Sequence, residues 1–490
     1  MSKRSAAAQN GVWSIILQWS RFGLNTIVFL ILARWLSLAE IGAFAIAFAP
    51  INLIQNVQRT GFSDTIVQGD TEPGPFTDTI FWMSATFGFA LSLCLFGLSF
   101  VIGPIVSNEA AGTYLAAMAV IPLLVGIAAV PEGLIQQRLE IRTLALRATV
   151  SLTIAGAIAL WFGHAGYGGW ALTGFAIVNA VVSTILVVAL VRWVPSSGLR
   201  VDMARQVLPI LGAILGRGLA IHATMPLLQL MVGAGLGPVA AGAFQIAQRF
   251  FNLAATVALT PLKFAALPVF VQVRGDVTRL RRVVIETAGL VSLVASPVYL
   301  GLLALSPLLL PLAVGETNGT ASVATSQALL LIGGHVGLYA IFTQSLTAIG
   351  RSDIALRWSV GVFVLNMAIG AVTALYSEAL TALGCSLLGY AAIPFVLRLL
   401  RIHIGIAPWE MARIVFGPVS AAVIMAVCVL LMSESLNGWI GGIALVALEI
   451  VLGAAIYFAL ALLMLRRQLS TTRNLLVTLL PQRLQRRGSG

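Results

Sequence analysis

Four basic residues, Arg21, Arg217, Arg249 and Lys263, lie within long apolar stretches of a chain that keeps nearly all its other charge outside them. A cation at the centre of a membrane helix costs about 2.5–3.5 kcal/mol, so four of them facing lipid would cost on the order of 10 kcal/mol. They are expected to line a shared polar cavity, and a cationic cavity selects an anionic passenger. Arg in particular presents parallel N–H donors that match a phosphate. Glu449 is the one carboxylate near the middle of any apolar stretch, and one acid cannot neutralise four bases.

Polar residues continue these positions at helical spacing. Ser14, Gln18, Arg21 and Asn25 are separated by four, three and four residues, which places them on one helix face. Asn52, Asn56 and Arg59 form a second stripe, and Gln245, Arg249, Asn252, Thr256, Thr260 and Lys263 a third. Gln18, Asn25, Gln245 and Asn252 are candidates for hydrogen bonds to sugar-like hydroxyls, with Arg21, Arg217, Arg249 and Lys263 holding the anion. Arg59, His222, Glu286 and Glu132 are candidates for gating or coupling; the competing reading makes Arg59 a snorkelling or ion-paired base, His222 a packing residue and the two acids interfacial.

The elements that must position these residues are membrane helices. The chain has 490 residues, 59% hydrophobic and only 9% charged, far below the charge of a soluble domain. A ruler of about 20 apolar residues predicts fourteen spans, including 11–33, 41–59, 207–232, 240–271 and a single tenth span over 322–349. The basic onset of the chain resembles a signal peptide, but Gln18 and Arg21 interrupt its apolar part and further spans follow, so a retained first helix is expected. Cys94, Cys385 and Cys428 fall inside apolar runs without metal-type spacing, and neither a disulfide framework, a metal nor a cofactor is expected.

Placing the N-terminus in the cytoplasm puts 23 of the 29 Lys and Arg on the inner side, Arg147 among them; the remainder are Arg21, Arg34, Arg59, Arg217, Arg249 and Lys263. That asymmetry fixes the orientation, with both termini inside. Gly163–Gly169 and Gly315–Thr320 are expected as short outer loops. The net charge of +12 therefore reads as topology, and nucleic acid is excluded because no stretch is long and polar enough to form a binding domain.

The sequence also repeats. A shift of 200 residues aligns Leu36–Ala47 with Leu236–Ala247, with Gly42, Ala43 and Phe44 matching Gly242, Ala243 and Phe244. This divides the core into an N-terminal six-helix lobe over 1–200 and a C-terminal six-helix lobe over 201–400. Two further helices follow over 401–465, and a basic cytoplasmic tail over 466–490. Repeats of this kind are common in transporters, whose sites lie near the midplane between halves that rock.

Several segments together resemble the Wzx-type polysaccharide flippases of the multidrug, oligosaccharidyl-lipid and polysaccharide exporter superfamily. They are Leu32-Ala-Arg-Trp-Leu-Ser-Leu-Ala-Glu-Ile-Gly42, Gly61-Phe-Ser-Asp-Thr-Ile-Val-Gln68, Pro131-Glu-Gly-Leu-Ile-Gln-Gln-Arg-Leu-Glu-Ile-Arg142, Gly166-Tyr-Gly-Gly-Trp-Ala-Leu172 and Ala266-Leu-Pro-Val-Phe270. The resemblance implies an all-α membrane protein of about 14 helices, with two six-helix lobes in a V and two added C-terminal helices. It implies movement of undecaprenyl-pyrophosphate-linked oligosaccharides across the bacterial inner membrane for surface or exported polysaccharide, with a polymerase or export machinery downstream, and no enzymatic step. The chain departs from the family in span 7, where relatives often carry an acid and this one reads His222-Ala-Thr-Met-Pro226.

A multidrug exporter of the same superfamily is the principal alternative, but a cationic drug would favour acidic cavity residues. A polysaccharide polymerase or ligase would need a sizeable outer loop carrying Arg or His, and none is long enough. A monomer is expected.

Overall fold

The computed structural model describes residues 22–68, 74–272, 276–436 and 442–464. Among these, every regular element is a helix. In chain order they are α1 (Phe22–Trp35), α2 (Leu38–Gln58), a π-helical turn (Arg59–Ser63), α3 (Asp64–Gln68), α4 (Pro75–Val106), α5 (Glu109–Met118), α6 (Ile121–Gln137), α7 (Ile141–His164), α8 (Trp170–Val191), α9 (Val201–His222) and α10 (Thr224–Leu236). There follow α11 (Pro238–Gln272), α12 (Val277–Val314), α13 (Glu316–Leu330), a 3₁₀ turn (Leu331–Gly334), α14 (Val336–Ala348), α15 (Ser352–Thr373), α16 (Glu378–Ile404), α17 (Pro408–Leu436) and α18 (Gly442–Met464). Ten of these stretches are long and apolar enough to cross a membrane, or eleven if α13 and α14 count as one broken span. The chain is an all-α multi-pass membrane protein. The expected first span is described only from Phe22 onward, and the C-terminal tail lies outside the described residues.

Local chemistry sets the helix starts. Ser37 and Glu40 form a capping box on α2, with the Ser37 amide donating to Glu40 Oε2 at 2.8 Å and the Glu40 amide to Ser37 Oγ at 3.3 Å. Asn108 caps α5 through the Ala111 amide and Asp276 caps α12 through the Arg279 amide. One sequence expectation is corrected here. The stretch after Gly315 is not a loop: Gly315 takes φ of 91° and lets α13 restart at once with Glu316. Arg147, counted above among the inner-side charges, lies in the second turn of α7 with its side chain 2% exposed.

The described helices group into two compact units. The first runs through Gln245 and adds Gly370–Glu378; the second comprises Ile246–Ile369 and the chain from Ala379 onward. Whereas the repeat divides the sequence near residue 200, α9 and α10 pack on α2 within the first unit. In that unit Asp78 Oδ2 collects four hydrogen bonds from the segment after α8, at 3.1 and 2.8 Å from the Ser196 and Ser197 amides and 3.0 and 2.7 Å from their hydroxyls. The α8–α9 connection is thereby clamped to the start of α4. In the second unit α12 is the central post, covered by α13, α14, α17 and α18.

The internal repeat has a structural counterpart. α2 starts at Leu38 and α11 at Pro238, exactly the repeat interval apart. Their glycines meet reciprocally: a Cβ on Gly42 would overlap the Pro238 carbonyl, and one on Gly242 would overlap the Leu38 carbonyl. Only glycine allows two helix starts to approach so closely.

Candidate functional site

The first cluster is built on the end of α2. The Asn56 amide group donates to the Asn52 carbonyl at 2.8 Å and to Asn52 Oδ1 at 3.1 Å, and the Thr60 hydroxyl donates to the Asn56 carbonyl at 2.7 Å. The helix then widens into the π turn. Such turns insert one residue into a helix and recur at functional sites because they re-aim side chains. Its apolar side is anchored by Phe62 in a core with Ile66, Ile80, Val130, Leu134 and Leu211. Its polar side is tied to α6, with Ser63 Oγ donating to the Ala129 carbonyl at 2.9 Å and Gln58 Nε2 to the Pro122 carbonyl at 3.2 Å.

Arg59 opens this turn, half-buried, with its Nε–H meeting no acceptor among the described residues. Facing the turn is α9: Gly61 abuts Leu215, and a Cβ on Gly218 would come within 2.9 Å of Thr60 Oγ1. Arg217 is the neighbour of Gly218 on that helix; its side chain is outside the described set. The turn therefore gathers Asn52, Asn56 and Arg59 beside the helix that carries Arg217. His222 lies half-buried at the last residue of the same helix.

The remaining candidates fall as follows. Asn25 is half-buried on α1, whereas Gln18 and Arg21 lie outside the described residues. On α11, Gln245 is buried, Arg249 half-buried and Asn252 exposed, and the Thr256 hydroxyl donates to the Asn252 carbonyl at 2.8 Å. Lys263 falls on the same helix with its side chain outside the described set.

Two acids proposed for gating have basic partners. Glu132 accepts from Arg147 at 3.1 Å in a pair enclosed on both sides, joining α6 to α7. Glu286 accepts from Arg282 Nε at 2.9 Å, one turn away on α12. Glu449 is buried on α18, on the stripe shared with Leu445, Val446 and Gly453.

Sequence reading missed the second cluster, in the second unit. The expected single span over 322–349 is broken: α13 tightens into the 3₁₀ turn and α14 leaves at 55°. Hydroxyls from neighbouring helices capture carbonyls around the break. Ser386 Oγ donates to Ala328 at 2.6 Å, the Tyr390 hydroxyl to Leu331 at 2.8 Å and Ser296 Oγ to Gly333 at 3.2 Å. His335 sits at the break itself, 4% exposed. The Gly333-Gly334-His335 run was the available signal, since glycine-interrupted apolar segments mark transporter sites.

The chain was compared with known proteins. A family model described as "Polysaccharide biosynthesis protein" matches residues 31–321, more than half of the chain. The succinoglycan biosynthesis transport protein ExoT of Rhizobium meliloti (strain 1021) is 24% identical over 299 residues, covering 61% of this chain and 60% of that relative's length. The lipopolysaccharide biosynthesis protein WzxC of Escherichia coli (strain K12) is 24% identical over 370 residues, covering 74% of this chain and 73% of WzxC. Among solved structures, the lipid II flippase MurJ in an inward closed conformation superposes with a TM-score of 0.74 at 14% identity, over 94% of this chain and 99% of MurJ. An inward-facing MATE multidrug transporter of the MOP superfamily gives 0.63 at 13% identity, over 80% of this chain and 98% of that one. At such identities the likeness concerns the fold: this chain folds as MOP-type transporters do.

Proposed function

The chain belongs to the polysaccharide biosynthesis protein family, and we propose that it is a flippase carrying polyprenyl-pyrophosphate-linked oligosaccharides from the inner to the outer leaflet of the bacterial inner membrane. The observation that carries this reading is the placement of basic residues on repeat-related apolar helices: Arg249 and Lys263 on α11, Arg59 after α2, and Arg217 on α9 beside it. Basic side chains at such positions are costly unless an anion or polar cavity receives them. A diphosphate supplies the anion, and a low-dielectric surround strengthens the attraction.

In this mechanism Arg21, Arg217, Arg249 and Lys263 hold the diphosphate or acidic sugars. Gln18, Asn25, Gln245 and Asn252 bond sugar hydroxyls. The polyprenyl tail stays in lipid while the lobes over 1–200 and 201–400 open alternately, so the head group crosses without meeting hydrocarbon. The protein works as a monomer with both termini cytoplasmic, in keeping with its inner-side excess of Arg, and hands its cargo to a polymerase or export machinery. The names of ExoT and WzxC, both tied to polysaccharide assembly, support this cargo over drugs.

A deletion strain tests the reading. It is expected to lose the polysaccharide and accumulate lipid-linked oligosaccharide on the inner leaflet. Normal polysaccharide with hypersensitivity to cationic drugs would instead favour the multidrug exporter.

A further inference from the structure

We infer that His335 is a proton-binding site that couples the transport proposed above to a proton gradient, by controlling the bend between α13 and α14. The inference rests on that transport reading for its purpose, but on the second unit alone for its chemistry.

The imidazole is built in from every side. Its ring centroid lies 4.6 Å from that of Tyr390 with the planes at 90°, and 5.0 Å from that of Tyr339 at 71°. A Cβ on Gly389 would overlap the imidazole ring, and one on Gly334 would overlap the Tyr390 hydroxyl. Both tyrosine hydroxyls are spoken for, Tyr390 by the Leu331 carbonyl and Tyr339 by the Gly389 carbonyl at 2.7 Å.

The two ring nitrogens are unequal. Nε2 approaches the Ser386 carbonyl at 3.4 Å. A carbonyl can only accept, so the neutral ring carries its hydrogen on Nε2 and keeps the lone pair on Nδ1. Nδ1 is buried and has no hydrogen-bond partner among the described residues. It is a vacant proton acceptor inside the bundle.

Beside the break the titratable groups are Tyr339 on α14, Tyr390 and Cys385 on α16, and Tyr299 on α12; the others on these elements, Arg279, Arg281, Arg282 and Glu286 on α12, Glu316 on α13, and Glu378, Arg398, Arg401 and His403 on α16, sit elsewhere along their helices. None of the ion pairs among the described residues includes His335. A proton arriving at Nδ1 therefore creates a cation whose stabilisation comes from the two tyrosine faces and from carbonyls at the break. Those carbonyls already accept from Ser386, Tyr390 and Ser296. The new Nδ1–H needs an acceptor where none is in place, so the carbonyls at the break or water must move toward it, and that rearrangement loosens what holds the bend closed. Losing the proton restores the lone pair and the closed bend. Three hydroxyl contacts made or released with the proton would give the break the two arrangements that a coupling element requires.

A reporter is already present. Trp358 lies 6.2 Å from Tyr339 at 27° and 5.5 Å from Phe342 at 80°, both on α14. The protein in nanodiscs is expected to change tryptophan emission on acidification, at the point where His335 takes up its proton. His335→Gln and Trp358→Phe should each remove that change. In proteoliposomes an imposed proton gradient should accelerate flipping of lipid-linked oligosaccharide several-fold in the parent protein and not in His335→Gln, which keeps its gradient-free rate. Should His335→Gln fail to fold, the imidazole resonances decide. The chain has four histidines, so His164→Gln, His222→Gln and His403→Gln assign three, and the fourth must titrate together with the emission change.

An emission change that persists in His335→Gln, a His335 resonance that does not shift together with the emission change, or flipping driven by sodium and indifferent to pH would overturn the inference. The fluorescence and resonance arms need no cargo. A titrating His335 in a protein that flips nothing would count against the flippase reading alone, and pH-indifferent flipping against the proton site alone.

Discussion

The π turn after α2 and the break between α13 and α14 interrupt membrane helices by opposite means. The first adds a residue and keeps the helix axis continuous. Its polar groups are tied to one helix, α6, by Ser63 and Gln58, and α6 is itself bound to α7 by the Glu132–Arg147 pair. The second removes a turn's worth of helical bonding and bends the axis by 55°. Its carbonyls are held by hydroxyls from α12 and α16, and His335 at its centre is in none of the ion pairs among the described residues. A distortion backed by a buried ion pair is fixed in place, whereas one held by neutral hydroxyls around a vacant nitrogen can change state. The first is backed to present Arg59 in one position; the second is the element to which the inference above assigns motion.

This contrast can be broken experimentally. The largest effect is expected at the ion pair. Arg147→Leu leaves Glu132 buried without its countercharge and should cost about 3–5 kcal/mol, measured by reversible unfolding in mixed micelles. Replacing both partners, Glu132→Leu with Arg147→Met, should recover most of the loss. If the single variant is as stable as the parent, α6 is not the rigid backing described here.

A smaller effect is expected at the break. Gly334→Ala pushes a methyl group against the Tyr390 hydroxyl and should cost about 1–3 kcal/mol, as overpacking does, while shifting the pH response of Trp358. A stable variant with an unchanged response would mean that the Tyr390–Leu331 bond is not part of the switch. The smallest effects should be Ser63→Ala and Tyr390→Phe, about 0.5–1.5 kcal/mol each. They sharpen the comparison in kind: Tyr390→Phe should alter the pH response and Ser63→Ala should not.

Much of this architecture is legible in the residues. The apolar spans and the 200-residue repeat follow from composition and spacing, and Gly42 and Gly242 mark the two helix starts that meet. What stayed hidden depends on neighbours distant in sequence. Hydropathy does not register a bend, so the stretch over 322–349 reads as one span although its carbonyls are held by Ser296, Ser386 and Tyr390 from other helices. Arg147 reads as an inner-surface charge because Glu132, its partner, is on a different helix. The stretch Gly315–Thr320 reads as a loop because composition does not say that a glycine with positive φ lets α13 restart immediately. Helical spacing set Asn52, Asn56 and Arg59 on one stripe, and the π turn that ends it abuts α9. That pattern could not find His335, whose role comes from a broken helix.

The central claim is that basic side chains on these helices carry a phosphorylated glycolipid head group. Its most direct test is the flipping rate of a polyprenyl-pyrophosphate oligosaccharide in proteoliposomes holding Arg249→Ala, compared with the parent at matched reconstitution. The account predicts a loss of at least about tenfold, the factor that 1.4 kcal/mol of lost binding produces, with partial recovery in Arg249→Lys. An Arg249→Ala protein that flips the glycolipid at the parental rate would contradict it.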